Sequence, residues 1–268
     1  MRAVKRWYHR KIADMKIYPR SLEVAGLLQT HFDLEDMPHL RRAGTAGHDN
    51  NYFVEHPADG HVMGVLRLVN PHRTRPNPKA DQPFIFEQPA ARLEREWNAY
   101  ARGSDLGLTP KPLWRTDDAL LCEYLPYTTL LRLQEDDPYK SWEIIVHAAQ
   151  RIRDLHTTGI THMDICLANM LSDENLAPAV FVDFEYAPAF HISPALQRTY
   201  DHLRLIESSW KYIPANLRGN FAPWLDVFVT ALDADMKAAG IDMLRPALSR
   251  MLADDTMRLA IESLFTQE

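Results

Sequence analysis

His162-Met163-Asp164-Ile165-Cys166-Leu167-Ala168-Asn169, followed by Asp183-Phe184-Glu185, is the stretch whose reading decides the fold. It sets an Asp, an Asn five positions on, and a second Asp fourteen positions beyond that. Phosphoryl transfer from ATP needs one carboxylate to accept the proton of an attacking hydroxyl, and oxygen ligands for the metal that neutralises the phosphates. In this pattern Asp164 is the base, and Asn169 and Asp183 are the metal ligands. The flanks support the reading. An amphipathic helix ends in Asp154-Leu155-His156-Thr157-Thr158-Gly159-Ile160, and two short apolar runs, Asn169-Met170-Leu171 and Ala179-Val180-Phe181-Val182, lead to Asp183. The predicted order is helix, loop, strand, turn, strand, Asp.

Working outward, 268 residues suit one two-lobed domain or two small ones. Composition is that of a soluble globular protein. No run of 18 apolar residues occurs, so no transmembrane helix is expected, and the charged N-terminus does not read as a secretory signal. Cys122 and Cys166 are the only cysteines, both in apolar contexts. That points to buried free thiols and a cytoplasmic location. The 12 His are scattered, without zinc spacing.

Net charge is −6, unevenly spread. Residues 1–20 hold Arg2, Lys5, Arg6, Arg10, Lys11, Lys16 and Arg20 against Asp14, which leaves the remainder at about −12 by subtraction. An acidic main body argues against nucleic acid as a partner. Val4, Trp7, Tyr8, Ile12 and Met15 recur at roughly helical spacing within the basic segment. Two readings stand: a helix packed on the N-terminal lobe, or peripheral contact with the inner face of an anionic membrane.

The pattern predicts a helix over 22–32 and strands at 40–43, 51–55 and 62–69, with Pro57-Ala58-Asp59-Gly60 turning between the last two. Five prolines between Pro71 and Pro89 predict an irregular loop. A helix follows over 92–102, then a hairpin at 113–115 and 119–124, and a helix over 141–156. Beyond Asp183 the chain reads as helices at 194–212, 217–238, 241–253 and 255–266. The fold class is therefore α+β. Residues 1–122 form an N-lobe with a small antiparallel sheet and a basic N-terminal helix. Residues 123–268 form a mostly helical C-lobe carrying the catalytic loop, and Cys122 to Tyr127 is the single crossing.

In that order the pieces resemble the protein-kinase-like fold and, within it, the choline kinase and aminoglycoside phosphotransferase group, over roughly residues 40–205. Ala43-Gly44-Thr45-Ala46-Gly47-His48-Asp49-Asn50 is similar to the nucleotide-binding loop. Gly64-Val65-Leu66-Arg67-Leu68 resembles the strand bearing the phosphate-contacting cation, often Arg in choline kinases. Glu94-Arg95-Glu96-Trp97 resembles the helix with that cation's carboxylate partner. Glu123-Tyr124-Leu125-Pro126-Tyr127 resembles the hinge, and Asp201-His202-Leu203 the later buried Asp that braces the catalytic loop.

The resemblance implies ATP and Mg²⁺ as cofactors, with Gly44 and Gly47 letting backbone N–H groups approach phosphate. Arg67 would hold phosphate, paired with Glu96 or its competitor Glu94. Hinge backbone near Glu123 and Leu125 would meet adenine. His162 reads as structural, hydrogen-bonded to backbone around Asp183. Trp142, Tyr186, Trp210, Tyr212 and Trp224 are candidates for a cation box, with core packing the simpler role.

Residue 166 is Cys where Ser/Thr protein kinases usually have Lys. Residue 185 is Glu where they have Gly, and no Ala-Pro-Glu segment follows. These departures point to a non-protein acceptor: a small molecule, a sugar or a glycolipid. The reading is an ATP-dependent kinase. A pseudokinase or nucleotide-binding scaffold is the alternative from another class, and a protein kinase is third.

Overall fold

The computed structural model describes residues 2–44, 48–73 and 78–265, with the side chains of 2–7 outside that description. In chain order the elements are α1 (Arg2–His31), β1 (His39–Arg42), β2 (Asn50–Glu55), β3 (Val62–Leu68), β4 (Phe84–Phe86), α2 (Pro89–Gly103), β5 (Pro112–Arg115), β6 (Ala119–Cys122), β7 (Thr128–Thr129), α3 (Leu130–Asp136), α4 (Ser141–Thr157), β8 (Met170–Ser172), β9 (Val180–Phe181), β10 (Tyr186–Pro188), α5 (Pro194–Ser209), α6 (Ala222–Ala231), α7 (Ala234–Ala239) and α8 (Asp255–Ser263). They divide into two units. The first comprises Met1–Asn77, Gln88–Trp97 and Lys111–Leu125; the second comprises Pro78–Glu87, Asn98–Pro110 and Pro126–Glu268.

The first unit is an antiparallel sheet of order β1-β2-β3-β6-β5, with α1 packed on it. Alternation writes the sheet. Asn50, Tyr52 and Val54 of β2 and Gly64, Leu66 and Leu68 of β3 face inward, while their neighbours are half-exposed. Tyr52, Val54, Leu66, Leu68, Ala119 and Leu121 meet Ile17, Val24 and Leu28 of α1 in one core. Gly64 is required where it stands: a Cβ there would lie 2.6 Å from the Cys122 carbonyl oxygen and 2.9 Å from Leu121 Cδ1. Gly60, at φ +74°, closes the β2–β3 turn.

Helix α1 runs unbroken from Arg2 to His31 through Pro19. Ala13, Ile17, Ser21, Val24 and Leu28 line its buried face at three- and four-residue spacing. Arg20 clamps it to the sheet, donating from Nε and Nη2 to the two Asp118 oxygens at 2.8 Å each. From Ala13 onward one face of the basic helix is therefore committed to packing. Tyr8, Met15, Tyr18 and Leu22 remain exposed. Among the described residues no helix is long and apolar enough to cross a membrane.

The second unit holds the C-terminal end of α2, helices α3 to α8, a small sheet of order β7-β8-β9, and the β4–β10 pair. The stretch between Pro71 and Pro89 is thus not wholly irregular, because Phe84–Phe86 pairs with Tyr186–Pro188. Nor is the crossing at 122–127 single. Residues 98–110 group with the helical unit, where Phe181 N–H donates to the Leu108 carbonyl at 2.8 Å and Arg151 Nη2 to the Gly107 carbonyl at 2.9 Å. The helix predicted over 217–238 breaks into α6 and α7 because Asp233 caps a new start, accepting the Met236 N–H at 2.8 Å. The one predicted over 241–253 is reduced to a 3₁₀ stretch, Asp242–Ala247, containing Pro246.

Candidate active site

The loop from His162 to Asn169 lies wholly in the helical unit, anchored by α5. Asp201, fully buried, accepts the His162 N–H on Oδ2 and the Met163 N–H on Oδ1, both at 2.8 Å. His156 Nε2 reaches the same Oδ2 at 3.0 Å. These bonds hold Met163 at φ +68°, a conformation that costs a non-glycine residue roughly 1–3 kcal/mol and persists only when its surroundings fix it.

His162 joins the two halves of the motif. Its Nδ1 accepts the Asp164 N–H at 3.3 Å, and its Nε2 donates to the Val182 carbonyl at 3.0 Å, so the ring carries its proton on Nε2. The imidazole is buried against Phe184, ring centroids 4.4 Å apart. It is a strut between Asp164 and the residue before Asp183.

Burial pushes the Asp164 carboxyl above the usual carboxylate range, and the Asp183 charge adds to this; the Arg204 guanidinium and His162 pull the other way. Arg204, on α5, donates to Asp164 Oδ1 from Nη2 at 2.9 Å and from Nε at 3.2 Å. Position 166, where a lysine would stand in a Ser/Thr protein kinase, holds a thiol that burial raises to about 12, so it is a neutral neighbour. The positive charge beside Asp164 comes from Arg204 of α5 instead.

Asn169 donates from Nδ2 to the Asp164 carbonyl at 3.1 Å, and its own carbonyl accepts the Val182 N–H at 3.0 Å. The side-chain amide thereby spends its nitrogen on the loop, and its oxygen is the atom that could take a metal. Asp183 sits at φ +72° with its N–H on Tyr100 Oη at 3.3 Å. An amide oxygen and a carboxylate form the hard-oxygen donor set that Mg²⁺ takes, completed by water and phosphate.

In the sheet unit, Arg67 Nη1 lies 3.2 Å from Glu96 Oε2 and 4.0 Å from Asp49 Oδ2. Glu96 is the partner, since Glu94 turns to Arg115 at 3.7 Å. The pair belongs to a larger buried network in which Arg92 Nη1 meets Asp49 at 2.8 Å. Sequence reading missed Asp49 and Arg92 as members, although Arg92 and Glu96, four apart, share a face of α2. It also missed Arg204, whose signal was its place three residues after Asp201 on one helix.

Glu123 uses its N–H within the sheet, donating to the Lys111 carbonyl at 2.8 Å, and Leu125 ends the sheet unit. The Gly44 α-carbon has open space around it. Gly47 lies outside the described residues. The five aromatics do not gather into a box: Trp224 stacks on Phe228, Tyr186 packs against Phe84 and Phe86, and Trp142 donates to the Leu217 carbonyl.

No protein-family model matches this sequence, and no curated protein matches it. Among solved structures, the chain is similar to the Rio2 kinase of Chaetomium thermophilum in its ADP/Mg²⁺-phosphoaspartate complex. The TM-score is 0.48 at 14% identity, over 90% of this chain and 73% of that one. It is also similar to the PknI kinase domain of Mycobacterium tuberculosis, with a TM-score of 0.44 at 16% identity, over 84% of this chain and 86% of that one. The antiparallel sheet of the first unit and the mostly helical second unit make the fold α+β.

Proposed function

We propose that this chain is an ATP-dependent phosphotransferase whose acceptor is a hydroxyl of a small molecule, a sugar or a glycolipid. One observation carries the reading: His162 ties Asp164 to the segment before Asp183, Asn169 is bonded to the Asp164 carbonyl, and Asp201 braces the start of the loop. In that arrangement Asp164 takes the proton of the acceptor hydroxyl. The acceptor oxygen forms a bond to the γ-phosphorus as the bond to the β,γ-bridging oxygen breaks, and ADP leaves. Mg²⁺ held by Asn169 and Asp183 supplies charge neutralisation for the phosphates when bound. In the sheet unit, Arg67, paired with Glu96, is the cation that would meet phosphate.

The non-protein acceptor is supported by the chain after Asp183. Tyr186–Pro188 is already paired into β10 and α5 begins at Pro194, which leaves residues 189–193 where a peptide-docking segment would need room. The test is transfer of label from γ-labelled ATP across a panel of alcohols, amino sugars, core glycans and a generic protein substrate. Transfer to a non-protein hydroxyl is the expected result. Labelling of protein alone would make it a protein kinase, and MgATP binding without transfer to anything would make it a pseudokinase.

A further inference from the structure

Beside the catalytic loop, within the helical unit, lies a cavity of about 270 Å³. Its walls bring Cys166 of the loop together with Arg204, Ser209, Lys211 and Arg250. Three of these are cations, and no carboxylate is among the lining residues. The two nearest acids are already engaged. Asp164 is bound to Arg204 at 2.9 Å, and the Glu207 carboxylate accepts the backbone N–H groups of Arg250 at 3.2 Å and Met251 at 2.7 Å. Arg250 and Lys211 carry no matching acid of their own among the described contacts. Arg250 Nη1 donates to the neutral Glu207 carbonyl at 2.8 Å, and Lys211 Nζ lies 4.3 Å from the centre of the Tyr212 ring. Ser209 is buried, and its Oγ has no partner among the described residues.

We infer that this cavity is the acceptor site and that the acceptor carries an anionic group, phosphate or carboxylate, besides the hydroxyl that Asp164 deprotonates. The inference rests on the phosphotransferase reading for the ligand's role, and on the cavity alone for its charge. Arg204 serves both ends: it holds Asp164 and faces the cavity. Lys211 and Arg250 face the same space from positions that leave their charge uncancelled, which suits phosphate or carboxylate and repels an ammonium. A quaternary-ammonium alcohol would need acids or an aromatic cage here; Tyr212 is the one aromatic among the lining residues, and its ring already lies 4.3 Å from Lys211 Nζ. The volume lies just below the usual range for small-molecule sites, about 300–1,000 Å³, so one sugar-sized unit is the expected occupant.

The test is equilibrium binding to the full chain by calorimetry, with four probes of one size: glucose 6-phosphate, glucuronate, glucose and glucosamine. Both anions should bind at least roughly tenfold more tightly than glucose or glucosamine, and the two anionic arms separate phosphate from carboxylate. Lys211→Glu and Arg250→Glu, both exposed and so safe for folding, should each weaken the better anion by roughly tenfold. Lys237→Glu, on α7, should not change it. Glucosamine or glucose binding as well as the anions, binding of none of the four, or indifference to both reversals would overturn the inference. Anion binding at this cavity with no transfer from ATP to any acceptor would leave the charge assignment standing and refute the kinase reading. Transfer to neutral acceptors without anion preference would do the reverse.

Discussion

Replacing Asp201 by Asn exchanges one carboxylate oxygen for an amide NH2 and should loosen the loop from His162 to Asn169. The carboxylate is fully buried and accepts two backbone N–H groups, one on each oxygen, plus His156 Nε2. Whichever way an asparagine amide is turned, one of the two N–H groups, from His162 or Met163, faces another donor. A hydrogen bond to a charged acceptor is worth about 1.5–3 kcal/mol, and an unmatched buried donor costs a similar amount, so the expected loss is about 2–4 kcal/mol. For a chain of this size that is a fall in Tm of roughly 5–12 °C. The loss is concentrated where Met163 is held at φ +68°, so the loop should relax and misplace Asp164. Turnover should fall by about ten- to a hundredfold, since each 1.4 kcal/mol of lost positioning is tenfold in rate. Calorimetric melting and ATP turnover on the same preparation check this. A variant that melts and turns over like the wild type would refute the bracing role.

Arg204→Gln removes the charge that holds Asp164 down against burial, so its carboxyl should titrate higher still. The base works only when ionised, so activity is lost as pH falls, and the acid limb of the pH–rate profile should move to higher pH in the variant. An unmoved limb would detach Arg204 from the base. Asp183→Ala should abolish Mg²⁺-dependent nucleotide binding by calorimetry while leaving the melt nearly unchanged without ligand; unaltered MgATP affinity would remove Asp183 from the metal site. Deleting residues 1–20 should destabilise the sheet unit by about 3 kcal/mol or more, since Ile17 and Ala13 leave the core and Arg20 leaves Asp118. An unchanged Tm together with lost co-sedimentation on anionic vesicles would instead make the segment a membrane contact.

Where a single local pattern governs the backbone, the sequence was readable. The alternation in β2 and β3 gave both strands within a residue or so, and Arg67 inside an apolar strand called for the carboxylate it meets in Glu96. The loop from His162 to Asn169 was legible because its chemistry fixes residue types at set spacings. What stayed hidden depends on partners far along the chain. Phe84–Phe86 is three residues in a proline-rich stretch, and only pairing with Tyr186–Pro188 makes it a strand. Arg204 meets Asp164 across forty positions, and its place three residues after Asp201 on one helix does not by itself name that partner. The break before α7 was signalled by Asp233, a capping residue type, but the apolar run Val227 to Leu232 suggested one continuous helix.

The proposed role of Asp164 as the base of a phosphoryl transfer underlies every other residue assignment. Its most direct test is single-turnover transfer from γ-labelled ATP by Asp164→Asn against wild type, with nucleotide affinity measured on both. Affinity within a few-fold of wild type and a rate down by about a hundredfold or more is the predicted result. Equal rates in the two proteins would contradict the account.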